Sequence, residues 1–307
     1  MGAPIIYKYD DTDAPVCDGS RGSLIAMLKA CLVDGYGSKI AAGWTMPFVN
    51  AEASVAAFRN DSVDGTGMFL RVDNAYGASN EVKMQGFETM SDEEAGSGPF
   101  VSDARYHRPS NTTTATQRPW LVVADNRIVY IFNWFLSPVP LTLPVAVQQQ
   151  VTCFGDIISL YDPDPYGCIL WGSVSANNAG NLSKVNVSTF SPTATTGGQV
   201  ARNINGDIKE THCGLIAGGG PVGTVSGMRG APFGAGVPVM ISRPLMIDDV
   251  AFHPRGYLPG LWNVCHQYPY DLFDTVTIDA KDYLVVESAT GFARGQFLFD
   301  VSATFRP

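Results

Sequence analysis

Histidine and cysteine are the residues best suited to bind a metal or move a proton, and the chain has few of them. Three of the four histidines lie near cysteines, in His212-Cys213, in Cys265-His266 and at His253. A tetrahedral zinc site would need both pairs, but adjacent side chains in a strand point to opposite faces of the sheet. This spacing favours ordinary loop or core histidines over a zinc site. We therefore predict no metal ion and no cofactor.

Carboxylates are the second group that could do chemistry, because the sequence concentrates them in short stretches. Four clusters stand out, namely Asp10-Asp11-Thr12-Asp13, Asp92-Glu93-Glu94, Asp162 with Asp164, and Asp248-Asp249. None of them has the spacing of an EF-hand calcium loop. Paired carboxylates also hydrolyse glycosidic bonds, but an acidic β protein presents such pairs by chance. Solvated turns are the favoured interpretation, and calcium-binding loops are the alternative.

Motifs for nucleophilic catalysis and phosphate binding are incomplete. In the stretch GTVSG at 223–227 the serine comes one position too late for the G-x-S-x-G turn of hydrolases. The glycine-rich segment 214–236 lacks GK[ST], and no strand is predicted before it, so it is not expected to be a phosphate-binding loop. The sequence therefore predicts a protein that is not an enzyme.

Composition also limits the partners. The net charge is −9 and no cluster of lysine or arginine is present, which argues against nucleic acid, because that affinity comes from neutralising phosphates. The longest apolar run, 128–136, is interrupted by Asn133 and is too short to span a membrane. The first residues lack the basic and apolar regions of a secretory signal. The six cysteines, without any C-x-x-C, are expected to be free buried thiols.

One helix is predicted among the elements that must position any site. Over 23–34, apolar residues recur at spacings of three and four, which makes one buried face. Ser20 or Ser23 can cap the first turn, and Gly35 suits the left-handed position at the end. The helix either covers a sheet of its own chain or binds a partner, and amphipathicity alone does not separate these roles.

The remaining elements alternate apolar and polar residues, which is typical of strands. The stretches 67–73 and 81–87 are expected to pair. The clearest hairpin joins 120–124 to 127–132 through Asp125-Asn126, and both runs are too apolar to leave a face in water. Further strands are predicted at 153–161 and 168–174 around the turn 162–167, and at 237–241, 275–279, 284–287 and 296–300.

These elements predict a mainly β fold. We expect an antiparallel sheet sandwich or a barrel-like body with one N-terminal amphipathic helix and long surface loops. The chain is expected to form one compact body over 1–307, with a possible subdivision into 1–150 and 151–307. A long exposed loop is predicted at 91–118, and the segment 175–236, rich in Gly, Asn, Ser and Thr, is expected to protrude because it buries little apolar area per residue.

The segment HPRGYLPGLW at 253–262 combines residues that fix the backbone with large apolar side chains. Such a mixture is typical of a loop that is ordered by packing. It either plugs the end of a sheet or anchors a neighbouring subunit, since aromatic residues and arginine dominate interface energetics. The candidate interface residues are Arg255, Tyr257, Leu258, Leu261 and Trp262.

Several stretches resemble a loosely annotated group of virion structural proteins of tailed bacteriophages. GSLIAMLKACLVDGYGSKIAAGWTMPF, AAFRN and FLRVDNAY are similar to the first part of these proteins, and CFGDIISL and RGYLPGLW, with YLVVES and GQFLFDVS, to the second part. The resemblance implies a place in a virus particle that is assembled in the bacterial host cytoplasm. It implies no reaction and no site residue.

The sequence and the resemblance together predict a non-enzymatic structural subunit of a virion, in the tail, neck or baseplate. Its partners would be copies of itself, as a homo-oligomer, and other virion proteins. Capsid decoration is one alternative role. A module that binds a host surface glycan or receptor is a second, and a glycan-degrading enzyme is a third, suggested only by the scattered carboxylates.

Overall fold

The fold is mainly β, as predicted. The computed structural model describes residues 3–75, 81–100, 104–141, 150–172, 198–207, 212–216, 241–248, 253–264, 271–290 and 293–306. The chain is 44% strand and 6% helix, and its antiparallel sheets do not close into a barrel in the described ranges.

The largest sheet has ten antiparallel strands, which come from both the first and the second half of the chain. In spatial order they are β1 (Ile5–Lys8), β8 (Trp120–Ala124), β9 (Ile128–Asn133), β10 (Gln150–Asp156), β12 (Cys168–Trp171), β13 (Gly198–Val200), β14 (His212–Ile216), β16 (Leu245–Asp248), β17 (His253–Tyr257) and β11 (Ile158–Ser159).

Two smaller antiparallel sheets complete the strands. The six-stranded sheet contains β2 (Thr45–Asn50), β3 (Val55–Arg59), β4 (Phe69–Asp73), β5 (Val82–Met90), β6 (Gly96–Pro99) and β7 (Arg105–His107), with β6 and β7 both pairing with β5. The five-stranded sheet has the order β15 (Ile241–Ser242), β18 (Leu261–Val264), β21 (Ala293–Asp300), β20 (Lys281–Thr290) and β19 (Thr275–Ile278).

The ten-stranded sheet is apolar on both faces. In β8, Trp120 and Val122 belong to one core cluster, while Leu121 and Val123 belong to another. The first cluster includes side chains of the helix and of the six-stranded sheet, and the second includes side chains of the five-stranded sheet. Because successive residues of a strand point to opposite faces, the large sheet is the middle layer of three.

The predicted helix is present. It runs as α1 (Ser23–Lys29) and continues as a π-helical turn (Ala30–Asp34), with the apolar face packed in the first core cluster. The predicted serine cap is wrong. The N-cap residue is Gly22, with φ 80°, which has no side chain that could cap the first turn. Instead, Asn74 accepts a hydrogen bond at 3.0 Å from the backbone N–H of Leu24, fifty positions away in sequence.

Asn74→Ala is therefore expected to lower the free energy of unfolding by about 1 kcal/mol, because it leaves a helix N–H group without its acceptor. Urea denaturation monitored by circular dichroism measures this change. The matched control is Ser20→Ala, at one of the two serines that the sequence pattern offers as the cap, with an expected change below about 0.5 kcal/mol. A larger effect at Ser20 than at Asn74 would contradict this account of the cap.

The central hairpin is confirmed, with Ala124 opposite Val129 in the register of β8 and β9. Its turn is one residue longer than predicted, because Arg127 lies in the turn and not in the strand. The Asp125 carboxylate accepts hydrogen bonds at 2.8 Å from the backbone N–H groups of Arg127 and Ile128. This side-chain acceptor replaces strand pairing at Arg127.

The predicted exposed loop at 91–118 is wrong for its middle part and its last residue, whereas 91–99 and 111–117 are largely exposed. This stretch contains β6 and β7, and Phe100 and His107 within it are buried. Arg118 is also buried, and it donates hydrogen bonds to the Ser137 carbonyl at 3.1 Å and to Asn111 Oδ1 at 2.6 Å. His107 and Arg118 are polar and are satisfied by hydrogen bonds that lie partly outside this stretch, so their burial produces no apolar periodicity in the sequence.

The segment 175–236 is only partly described. Within it, β13 and β14 are strands of the large sheet, and Val200 is fully buried in the second core cluster, so the expectation of a segment outside the core is wrong at β13. The strand β14 also lies at the start of the glycine-rich segment, where no strand was predicted. The remainder of the predicted protrusion lies outside the described residues. The strand predicted at 237–241 is described only from Ile241, where β15 begins.

Candidate functional site

The segment 253–262 forms two strands and not a loop. β17 belongs to the ten-stranded sheet and β18 to the five-stranded sheet, so this stretch passes from one layer to the next. Gly260, with φ 67°, lies in the turn between them, where a Cβ atom would meet the Phe305 ring at 2.2 Å. Tyr130 donates a hydrogen bond from its hydroxyl to the Pro259 carbonyl at 2.8 Å. Packing thus fixes the crossing in one conformation.

Three of the five predicted interface residues are buried within their own chain. Leu258 and Leu261 belong to the second core cluster. Arg255 is 1% exposed, and its guanidinium donates two hydrogen bonds, at 2.8 and 2.7 Å, to the two carboxylate oxygens of Asp164. Such bidentate pairs are the strongest arginine–carboxylate contacts. For these three residues the structure matches the interpretation of packing within the chain.

The other two, Tyr257 and Trp262, are only partly buried and meet at Arg243. The Arg243 guanidinium carbon lies 4.9 Å from the centre of the Tyr257 ring and 5.7 Å from that of Trp262. The Tyr283 ring packs edge-on against Trp262, with 6.2 Å between the ring centres. We refer to Arg243, Tyr257, Trp262 and Tyr283 as the Arg243 cluster. Arg243 was not predicted, because no sequence pattern connects it to Tyr257 and Trp262 on their two strands.

The electrostatics of the Arg243 cluster favour recognition. Burial lowers the pKa of Arg243, while the nearby tyrosines and Asp300 oppose that change, so the side chain remains a cation. Its Nε atom is buried and has no hydrogen-bond partner among the described residues. The Asp300 carboxylate accepts hydrogen bonds from Ser302 and Thr304, which hold it in place. A cation between aromatic rings suits attraction of a partner group.

A second polar group is a buried hydrogen-bonded chain of Cys17, Asn133, His107 and Thr152. The Asn133 amide donates to Cys17 Sγ at 3.6 Å, and its Oδ1 lies 2.7 Å from His107 Nε2. His107 Nδ1 lies 2.9 Å from Thr152 Oγ1. This arrangement assigns the proton to Nε2, because Asn133 Oδ1 can only accept.

This buried chain has the residue types of a thiol enzyme but not its geometry. Asn133 separates the imidazole from the thiol, so His107 cannot take the proton of Cys17 directly. Burial raises the pKa of Cys17 to about 12 and lowers the pKa of His107 to about 4. The thiol is therefore protonated and the imidazole neutral near pH 7, and both are fully buried. The group supports the fold and is not a nucleophilic centre.

A third polar group surrounds the buried carboxylate of Asp156. Its oxygens accept hydrogen bonds from the Asn60 amide at 2.7 Å and from the Thr66 hydroxyl at 2.6 Å, and Arg127 forms an ion pair at 3.4 Å. Burial raises the pKa of Asp156. Arg306 donates to the Asp156 backbone carbonyl at 2.9 Å, so this group connects Arg306 to β10 of the large sheet.

The other predicted sites have mixed outcomes. Within the described ranges, no three His, Cys, Asp or Glu side chains lie together as a metal site would require. The zinc hypothesis itself needs Cys265 and His266, which lie outside the described residues. Of the acidic clusters, Asp164 is held by Arg255. Four of the cysteines are buried free thiols, as predicted, namely Cys17, Cys31, Cys153 and Cys168.

Comparison with known protein-family models and with curated proteins finds no match to this chain. No helix in the described ranges is long and apolar enough to cross a membrane. The class that the fold and the Arg243 cluster define is therefore a three-layered, mainly β protein with a cation–aromatic group on two of its sheets.

Proposed function

We propose that this chain is a non-enzymatic structural subunit of a tailed-phage virion that assembles with copies of itself and with neighbouring particle proteins, in the tail, neck or baseplate. The observation that supports the proposal most is the Arg243 cluster. Tryptophan, tyrosine and arginine are the residues that most often dominate binding energy at protein interfaces. Here one of each is brought together, partly exposed, by strands of two different layers.

The rigidity of the cluster supports the same role. Tyr257 and Trp262 flank a crossing that is fixed by Gly260 and the buried ion pair of Arg255 with Asp164. Side chains held in one conformation lose little entropy when a partner binds. In a particle that repeats the subunit many times, modest contacts of this kind act together and become effective.

The test is assembly of the isolated protein, followed by light scattering over a range of concentrations. We expect the wild-type protein to form oligomers and Trp262→Ala to weaken their association by about 2 kcal/mol, or roughly 30-fold, as for an interface residue of this kind. The control is Ile40→Ala, which trims an exposed apolar side chain outside the cluster and should leave assembly unchanged.

The variants Trp262→Ala and Ile40→Ala should both keep the wild-type melting temperature within a few degrees, which shows that a loss of assembly is not a loss of folding. Equal assembly of Trp262→Ala and wild type would show that the Arg243 cluster is not part of the interface. A wild-type protein that is strictly monomeric, and is also absent from purified particles, would refute the proposed function.

A glycan- or receptor-binding module is the second candidate, favoured by the partly exposed rings of Tyr257 and Trp262. Sugars stack on open aromatic faces, however, and Arg243 lies over one face of each ring. Arg243 therefore covers aromatic surface on which a sugar would stack, so the arrangement favours a protein partner over a sugar. Binding of the isolated protein to a glycan array, abolished by Trp262→Ala, would reverse this preference.

A further inference from the structure

A short loop at 160–166, between β11 and β12, presents apolar side chains to solvent. Leu160 is 51% exposed and Tyr161 is 40% exposed, and both precede the exposed residues Asp162 and Pro163. Single exposed apolar residues are common and need no explanation. Leu160 and Tyr161 are neighbours on one loop, and a loop that is held in one conformation presents them together as a fixed apolar surface.

The base of this loop is held by the carboxylate of Asp164. It accepts two hydrogen bonds from Arg255 and one from the Ser159 hydroxyl at 2.7 Å. The Leu160 backbone N–H donates to the Arg255 carbonyl at 2.9 Å, and the Tyr161 N–H donates to Ser159 Oγ at 3.1 Å. Both exposed residues therefore have anchored backbones.

We propose that Leu160 and Tyr161 are a preformed anchor that inserts into an apolar pocket of a different protein chain, a pocket rimmed by lysine or arginine side chains. The proposal rests on the proposed role as a virion subunit and names a second contact of that subunit, separate from the Arg243 cluster. An ordered loop that exposes a tyrosine and a leucine loses little conformational entropy on docking.

Charge argues that the partner is basic and is not another copy. The loop carries Asp162 at its exposed end, and the whole chain has a net charge of −9. A symmetric contact between two copies would bring the two Asp162 carboxylates together, and like charges disfavour association. A basic rim is also scarce on a second copy, because many described arginines already form ion pairs within their own chain, namely Arg71, Arg108, Arg127, Arg202, Arg255 and Arg306.

The first experiment replaces Tyr161 with the photoreactive residue benzoylphenylalanine in particles produced with this variant chain. Illumination should cross-link the chain to a different virion protein, and mass spectrometry of the product identifies a partner peptide rich in lysine or arginine. The control places the same photoreactive residue at the exposed position Ile40, where no such product should form. Cross-links only to copies of this chain, or none in particles that contain it, would overturn the proposal.

The second experiment compares incorporation into particles. Leu160→Asp combined with Tyr161→Ser should lower the amount of chain per particle at least tenfold, without a change in melting temperature, because both side chains are exposed. Val63→Asp introduces the same charge at a side chain that is 88% exposed and should be incorporated normally. Normal incorporation of the double variant overturns the anchor alone, whereas absence of the wild-type chain from particles overturns the proposed function and the anchor with it.

Discussion

Arg255→Ala is expected to lower the free energy of unfolding by about 3–5 kcal/mol, because it leaves the buried carboxylate of Asp164 without its cation. The two side chains are 1% and 8% exposed and share two hydrogen bonds. Urea denaturation monitored by tryptophan fluorescence measures the change. The loss should also loosen the loop at 160–166, because among the described residues the Asp164 carboxylate then keeps its contacts to the Ser159 hydroxyl and the Tyr166 backbone N–H but has no cation.

The matched control for this ion pair is Glu94→Ala. Glu94 also bonds an arginine, Arg71, at 2.6 Å, but its side chain is 63% exposed. Water solvates the exposed Glu94 carboxylate, and the buried Arg71 keeps Asp73 and the Glu93 carbonyl as partners, so we expect a change below about 1 kcal/mol. Equal costs for Arg255→Ala and Glu94→Ala would contradict the conclusion that burial sets the strength of the Arg255 pair.

Acid is expected to destabilise the protein through His107. Burial lowers the pKa of His107 from 6.5 to about 4 in the folded state, so the unfolded chain binds the proton more readily. Stability contributed by the neutral imidazole is complete above pH 6.5 and falls as the pH decreases towards 4. The expected loss is about 2 kcal/mol between pH 7 and 5 and about 3 kcal/mol by pH 4. Urea denaturation at a series of pH values measures it.

The control for this pH dependence is His107→Gln, which keeps a donor and an acceptor near Asn133 and Thr152 but does not titrate. Its stability should change less than that of the wild type over the same pH range. Asp156 acts in the opposite direction, because its raised pKa favours the folded state as the pH falls, and it is present in both proteins. Identical pH profiles for both proteins would exclude His107 as the source of the acid sensitivity.

Much of the fold could be predicted because apolar side chains repeat with the period of their element. The helix at 23–34 and the hairpin of β8 and β9 were predicted in the right places for this reason. The burial of both faces of β8, with alternate residues in two core clusters, also follows from the sequence, because residues 120–124 are all apolar. Such patterns are local, so a single stretch of sequence contains them.

The candidate site could be predicted only in part, because its contacts connect distant stretches. Tyr257 and Trp262 were identified by type, whereas Arg243 and Tyr283 reach them only through the pairing of strands in two sheets. The same holds for Asn74 at the helix start and for His107 with Asn133. A polar residue that is satisfied by a distant partner has the same local sequence signature as one on the surface.

The most direct test of the proposed virion role is the copy number of this chain in purified tailed-phage particles, measured by quantitative mass spectrometry against the major capsid protein. As a subunit that assembles with itself and its neighbours, the chain should be present in a fixed, multiple number of copies per particle. That number should fall in particles produced with Trp262→Ala and remain unchanged with Ile40→Ala. Particles that are complete and infectious without any copy of the chain would contradict the account.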